Sequence, residues 1–305
     1  MFKKISSFVL LMSIMILFTA CGSKQVSGNK SVNKNGKIQV AVSFNPLKEF
    51  AQAVGKDKIE VHTIVPDGTE PHDFEPKPRD METINNADIF VYNGMGMESW
   101  TDKVLQTLDN KKLVTVAASK GITPVKNNNA AGSEDHGQYD PHTWLGLKEA
   151  KIEANNIKDA LIKVDPSNKD YYEKNYADFA VQIDNLYNDY SNKFSTLQNK
   201  NFVTGHAAFA YFCRDFGLKQ NSAEDVFAEG EPTAQKLKEL VDYCKANKIK
   251  VIFSEELASP KVSQTLAREV NAKVERIYTI ESSEDNKDYI ESMKDNLSKV
   301  YESLK

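Results

Sequence analysis

Three histidines and one glutamate carry most of this chain's capacity for chemistry. His72 lies in EPHDFEPKP, His142 in YDPHTWLGL, His206 in FVTGHAAFAYF and Glu281 in KVERIYTIE. Three neutral imidazole nitrogens and one carboxylate oxygen make a tetrahedral donor set that suits Zn2+. Imidazole-rich ligation also favours zinc over the oxygen-preferring Mn2+, although affinity order alone admits copper or nickel. The four residues are dispersed and no HExxH or CxxC spacing joins them, so only the fold can bring them together. Two more histidines complete the five. His62 alternates within VHTIV and reads as a structural or surface residue. His136 sits between acids in the polar loop 125–140 and is at most an auxiliary metal-capturing residue.

The elements around these residues follow an α/β rhythm. Segments 38–44, 58–65, 87–94 and 112–118 are β-rich, with helical patterns at 46–54 and 100–109. The second half repeats this with strand candidates at 201–205, near 221–227, at 250–256 and at 273–280. The alternation predicts two similar α/β lobes with parallel-type sheets. Between them Tyr172, Tyr176, Phe179, Ile183, Leu186, Tyr190, Phe194 and Leu197 recur every three or four residues. That spacing predicts one long rigid helix over 166–197 with an aromatic packing stripe. The expected division is a signal segment 1–20, a tether 21–35, an N-terminal lobe 36–164, a linking helix 165–199 and a C-terminal lobe 200–305.

Each of the four candidate ligands falls where a strand ends or a helix begins. In open α/β sheets such loops face a crevice at the carboxyl ends of the strands, so the site is expected in the cleft between lobes. Pro71, Pro76 and Pro78 stiffen the loop around His72 by fixing φ and extending the residues before them. A stiff loop presents its imidazole already aimed, which raises affinity by reducing the ordering needed at binding. Metal-bound histidines need acceptors for their second ring nitrogen, and Asp73, Glu75 and Glu255 are candidates for that role.

The chain's beginning carries a different message. Lys3 and Lys4 precede the apolar run ISSFVLLMSIMILF, and small residues lead to Cys21. This resembles a bacterial lipoprotein signal, with Cys21 as the lipidated first residue of the mature chain, although Phe18 stands where leucine is usual. Residues 23–35 are polar, rich in Ser, Asn and Lys, and read as a flexible tether. Anchoring would then be by lipid on the outer face of the cytoplasmic membrane, with no spanning helix. A net charge of −4 argues against nucleic acid as a partner. Cys213 and Cys244 are too few for a disulfide scaffold, and one bridge between them is left open.

Six motifs occur in one order: EPHDFEPKPRDM, NGMGMESW, DPHTWLG, VTGHAAFAYFCRDFGL, EGEPTA and VIFSEELASPKVSQTLARE. Together they resemble the metal-binding class of solute-binding proteins, the zinc and manganese receptors of bacterial ABC importers. The resemblance runs from about Ile38 to Leu304. It implies metal ligation by His72, His142 and His206, and a histidine at the third position resembles the zinc-type members. YTIES resembles the segment that supplies an acidic ligand, which points to Glu281 with Glu284 and Asp285 close by. Gly146 and Leu147 depart from the family pattern after DPHTWL. The implied function is an exported, monomeric, non-enzymatic receptor that passes Zn2+ to an ABC permease. A manganese receptor is the alternative within the family. A zinc hydrolase with Glu281 or Glu255 as base, and a surface adhesin, are the alternatives outside its transport role.

Overall fold

The computed structural model describes residues 36–127, 137–228, 232–257 and 260–305. Cys21, the signal and tether segments, and His136 lie outside the described residues.

Four strands, β1 (Ile38–Val42), β2 (Ile59–Thr63), β3 (Ile89–Tyr92) and β4 (Val114–Ala117), form a sheet in the order β2-β1-β3-β4. A second sheet uses β5 (Asn201–Thr204), β6 (Lys219–Ser222), β7 (Val251–Ser254) and β8 (Lys273–Arg276) in the order β6-β5-β7-β8. All six strand pairings are parallel. The two sheets therefore repeat one permutation, with the chain's direction of travel reversing beside β1 and beside β5. β1 reads IQVAV and is buried at all five positions. Apart from Gln39 the strand is apolar, as helices on both faces of a parallel sheet require.

The crossover helices of the first sheet are α1 (Asn45–Gly55), α2 (Pro78–Asn86) and α3 (Thr101–Thr107). α2 was not anticipated. Pro78 opens it where a missing N–H costs nothing, and the Asp80 carboxylate accepts the Lys77 N–H at 2.7 Å. Two longer helices follow, α4 (Leu147–Val164) and α5 (Lys169–Ser195). The second sheet carries α6 (Ala210–Phe216), α7 (Ala234–Ala246) and α8 (Pro260–Val270), and α9 (Tyr289–Ser303) ends the chain.

The long helix differs from the expected one at its start, where Pro166–Asn168 form a 3-10 turn before α5 begins. Its 27 residues extend about 40 Å at 1.5 Å each. The aromatic stripe is where the spacing put it. Tyr172, Phe179, Ile183, Tyr190 and Phe194 are buried, and each such side chain contributes about 1.5–3 kcal/mol. Phe179 meets Phe50 of α1, while Phe194 meets Phe216 of α6 with ring centroids 5.2 Å apart. One helix thus packs against both halves. α9 returns to the first lobe, where the Tyr289 ring lies 4.8 Å from that of Phe50 and its hydroxyl donates to the Trp144 carbonyl at 2.7 Å.

Two strand boundaries also moved. β6 begins at Lys219 instead of near Asn221, and β8 stops at Arg276, so Glu281 follows a loop and not a strand directly. Cys213 and Cys244 are unbridged. Gly146 has a local reason: a Cβ there would sit 2.1 Å from Glu149 Oε2 and 2.9 Å from Tyr211 Cβ. Glycine at this position lets the Glu149 carboxylate tuck under the turn and meet Arg214 at 2.7 Å.

Candidate metal centre

The strands deliver their carboxyl ends to one place. The loop after β2 carries His72, the segment before α4 carries His142, the turn after β5 carries His206, and the loop after β8 carries Glu281. His142, His206 and Glu281 are buried, and His72 is partly so. One ligating atom from each of the three histidines lies within 4.8 Å of the other two. His72 Nε2 and His142 Nε2 are 3.2 Å apart, and His142 Nε2 is 3.6 Å from Glu281 Oε1. A tetrahedron with metal–ligand bonds of about 2.0–2.1 Å has edges of about 3.3–3.4 Å, which these two separations bracket. The 3.6 Å approach is an ion-pair distance and too long for a hydrogen bond.

Two of the three imidazoles are oriented by their other nitrogen. His142 Nδ1 faces Asp140 Oδ1 at 2.8 Å, and the same oxygen accepts the His142 backbone N–H at 2.9 Å. That leaves Nε2 for ligation. His206 Nε2 faces the Val226 carbonyl at 2.9 Å, which leaves Nδ1. His72 Nδ1 is buried, with no hydrogen-bond partner among the described residues. Asp73 and Glu75, expected to support the rings, are exposed and are not among the ring partners of the histidines. Glu255 supports His206 through the backbone: its oxygens accept the Gly205 and His206 N–H groups, both at 3.1 Å. Burial pushes its carboxyl up to about 8.

Two carboxylates escaped the sequence reading. Asp140 is one. The other is Glu70, which forms a second cluster with His72 and Glu281 and accepts the His72 backbone N–H at 3.2 Å. Both precede a histidine in the same acid-Pro-His arrangement, EPH and DPH. That repeat was the available signal. The longer Glu70 reaches the backbone of its histidine but not the ring.

The charge balance follows from packing. Burial lowers the His142 pKa, but the Asp140 and Glu281 carboxylates outweigh it and raise the imidazole to about 9. Burial, followed by repulsion from His142, holds His72 and His206 below the usual histidine range. Burial favours a neutral Glu281, yet its three imidazole neighbours hold the carboxyl well below the usual range. Burial and then the Glu281 charge drive Glu70 the other way, up.

Glu98 ties the surrounding loops together. Its carboxylate accepts from Ser43 Oγ after β1 at 2.6 Å and from the Asn93 and Gly94 N–H groups after β3 at 2.7 and 3.0 Å. Asn93 Nδ2 then donates to the Pro141 carbonyl at 2.8 Å, fixing the segment that presents His142. Positive φ at Gly94, Met95 and Gly96 wraps the NGMGME loop around this carboxylate. Next to the fourth candidate ligand, Ile280 has φ of 64°. That is a left-handed conformation costing a β-branched residue about 1–2 kcal/mol. Glu284 and Asp285, the neighbouring acids, both pair with Arg276 at 3.1 Å. His62 bonds Gln39 at 2.9 Å on β2, as a structural residue.

A family model described as the periplasmic component A of the zinc-uptake complex matches residues 40–303. A putative metal-binding protein of Treponema pallidum is 40% identical over 98% of this chain and 96% of its own length. The high-affinity zinc uptake system protein ZnuA of Bacillus subtilis is 37% identical over 100% of this chain and 99% of its own. The crystal structure of a Zn(II)-bound mutant variant of AdcAII from Streptococcus pneumoniae superposes with a TM-score of 0.80 at 33% identity, covering 88% of this chain and 99% of that one.

Proposed function

Because the chain belongs to the family of zinc-uptake component A proteins, we propose that it is an extracytoplasmic receptor that captures Zn2+ between its lobes and delivers it to an ABC-type permease. It is a receptor and not an enzyme, in keeping with relatives named for zinc uptake and binding. The observation that carries the reading is the buried convergence of three imidazoles within 4.8 Å of one another. His72, His142 and His206 are the proposed nitrogen ligands and Glu281 the proposed oxygen ligand. Three nitrogens with one carboxylate favour zinc over manganese. A fourth protein ligand also fills the position that a zinc hydrolase keeps open for water.

The finer assignments belong to the same reading. Cys21 is the proposed lipid attachment site after removal of residues 1–20, supported by the sequence before it. The division at 36–164, 165–199 and 200–305 is proposed for the two lobes and the helix between them. No helix among the described residues is long and apolar enough to cross a membrane, consistent with a lipid holding a monomeric receptor at the surface.

The test uses residues 22–305, stripped of metal and titrated calorimetrically with Zn2+ and Mn2+, beside His206→Ala. One-to-one zinc binding that exceeds manganese binding and collapses in the variant is expected. Weak binding, or an unaffected variant, would overturn the shared site.

A further inference from the structure

The segment that carries Glu281 is held by the opposite lobe. Asn45, buried in the first turn of α1, donates from Nδ2 to the carbonyls of Ile280 and Ser282, both at 3.1 Å. Those residues flank Glu281 on either side. Two carbonyl acceptors fix the amide's orientation, since only its nitrogen end can donate. The loop leading to His72 adds two more bonds: Gly68 N–H donates to Ser282 Oγ and Asp67 Oδ1 accepts the Ser283 N–H, both at 2.9 Å.

The held conformation is one that Ile280 would not choose. Its φ of 64° is left-handed, its side chain is buried, and its N–H is anchored at 3.2 Å to Glu284 Oε1. A β-branched residue persists there only when its surroundings over-determine it. The result is a carboxylate turned toward the histidines, with Oε2 accepting from Thr279 Oγ1 at 2.7 Å and Oε1 facing His142.

We propose that Asn45 is a positioning residue for metal capture. Its amide bridges the two carbonyls beside Glu281, holds Ile280 left-handed, and so aims the carboxylate at the bound metal. Parting this bridge lets Ile280 relax to negative φ and swings Glu281 away. Metal release then needs only a small shift between the head of α1 and the loop after β8. This rests on Glu281 being a ligand, as proposed above.

The experiment measures zinc release to a chelator by stopped flow, together with amide exchange at residues 279–283 of the metal-free protein. The variants are Asn45→Ala, Ile280→Gly, Ile280→Ala and the two double variants. Asn45→Ala is expected to speed release roughly 10-fold, the scale of losing a supporting contact to a ligand, and to raise exchange at 279–283 without metal. Glycine tolerates positive φ and alanine does not, while both remove the same side chain beyond Cβ. Ile280→Gly should therefore release zinc more slowly than Ile280→Ala, with Asn45 present or replaced. Wild-type release rates in Asn45→Ala, or equal rates for the glycine and alanine variants, would overturn the proposal. Should the wild-type protein bind no zinc, the receptor reading fails, while the exchange data still decide whether Asn45 holds the segment.

Discussion

A single oxygen, Asp140 Oδ1, receives both the ring Nδ1–H and the backbone N–H of His142, at 2.8 and 2.9 Å. One atom thus sets the loop, the rotamer and the tautomer of a proposed ligand. Replacing it with an amide leaves the ring orientation ambiguous. Asp140→Asn should weaken zinc binding about 10–100-fold, measured by competition with a chelator of known affinity, with little change in far-ultraviolet circular dichroism.

Zinc binding should expel a proton. With His142 raised to about 9, its imidazole is charged at neutral pH in the metal-free protein, whereas His72 and His206 are held low and already neutral. A ligating imidazole must be neutral. About one proton per zinc is expected at pH 7.5, falling as pH passes about 9, read from calorimetry in buffers of different ionisation enthalpy. The same raised pKa stabilises the metal-free fold fully below the unfolded value near 6.5. That contribution is lost as pH rises through about 9.

Glu281 and Glu70 share a cluster with His72 but face different tasks. Glu281 is held ionised among the imidazoles, while burial and the Glu281 charge push Glu70 toward its neutral form. Glu281→Gln should therefore cost zinc affinity at least 10-fold, and Glu70→Gln much less. Equal losses in parallel titrations would make Glu70 an equal ligand.

Pro71 and Pro76 stiffen the loop that presents His72. Replacing both with alanine should lower zinc affinity while leaving the thermal midpoint of the metal-free protein within a few degrees. Unchanged affinity would remove preorganisation of this loop as a source of binding strength.

Glu153 on α4 is fully buried, and among the described residues neither carboxylate oxygen has a hydrogen-bond partner within bonding geometry. Burial raises its pKa to about 8. A raised carboxyl stabilises the fold below the unfolded value and loses that contribution between about 4.5 and 8. Glu153→Gln, which cannot ionise, should unfold at a higher temperature than wild type at pH 8 and show a smaller advantage at pH 5.

What could be read from the sequence depended on whether local pattern agreed with local structure. The β-rich runs were legible because a doubly covered parallel strand is mostly apolar, as in IQVAV with its single Gln39, and α5 because its stripe repeats over many turns. His72 and His206, in loops after β2 and β5, and His142, in the segment before α4, were legible for a topological reason. Asp140 and Glu70 were overlooked because a carboxylate two residues from a histidine acts here through loop geometry, not composition. The conformation of Ile280 could not be read at all, since an isoleucine predicts the opposite sign of φ and only tertiary bonds override it.

The return of α9 to the first lobe has a consequence for how the chain acquires its structure. Tyr289 closes a contact with Phe50 and Trp144, so the core built by the opening third of the described residues stays open until the closing helix arrives. Neither lobe should be obtainable by cutting the chain at α5. Unfolding should proceed as one cooperative transition, and a nascent chain lacking its last 15 or so residues should remain sensitive to protease along its whole length.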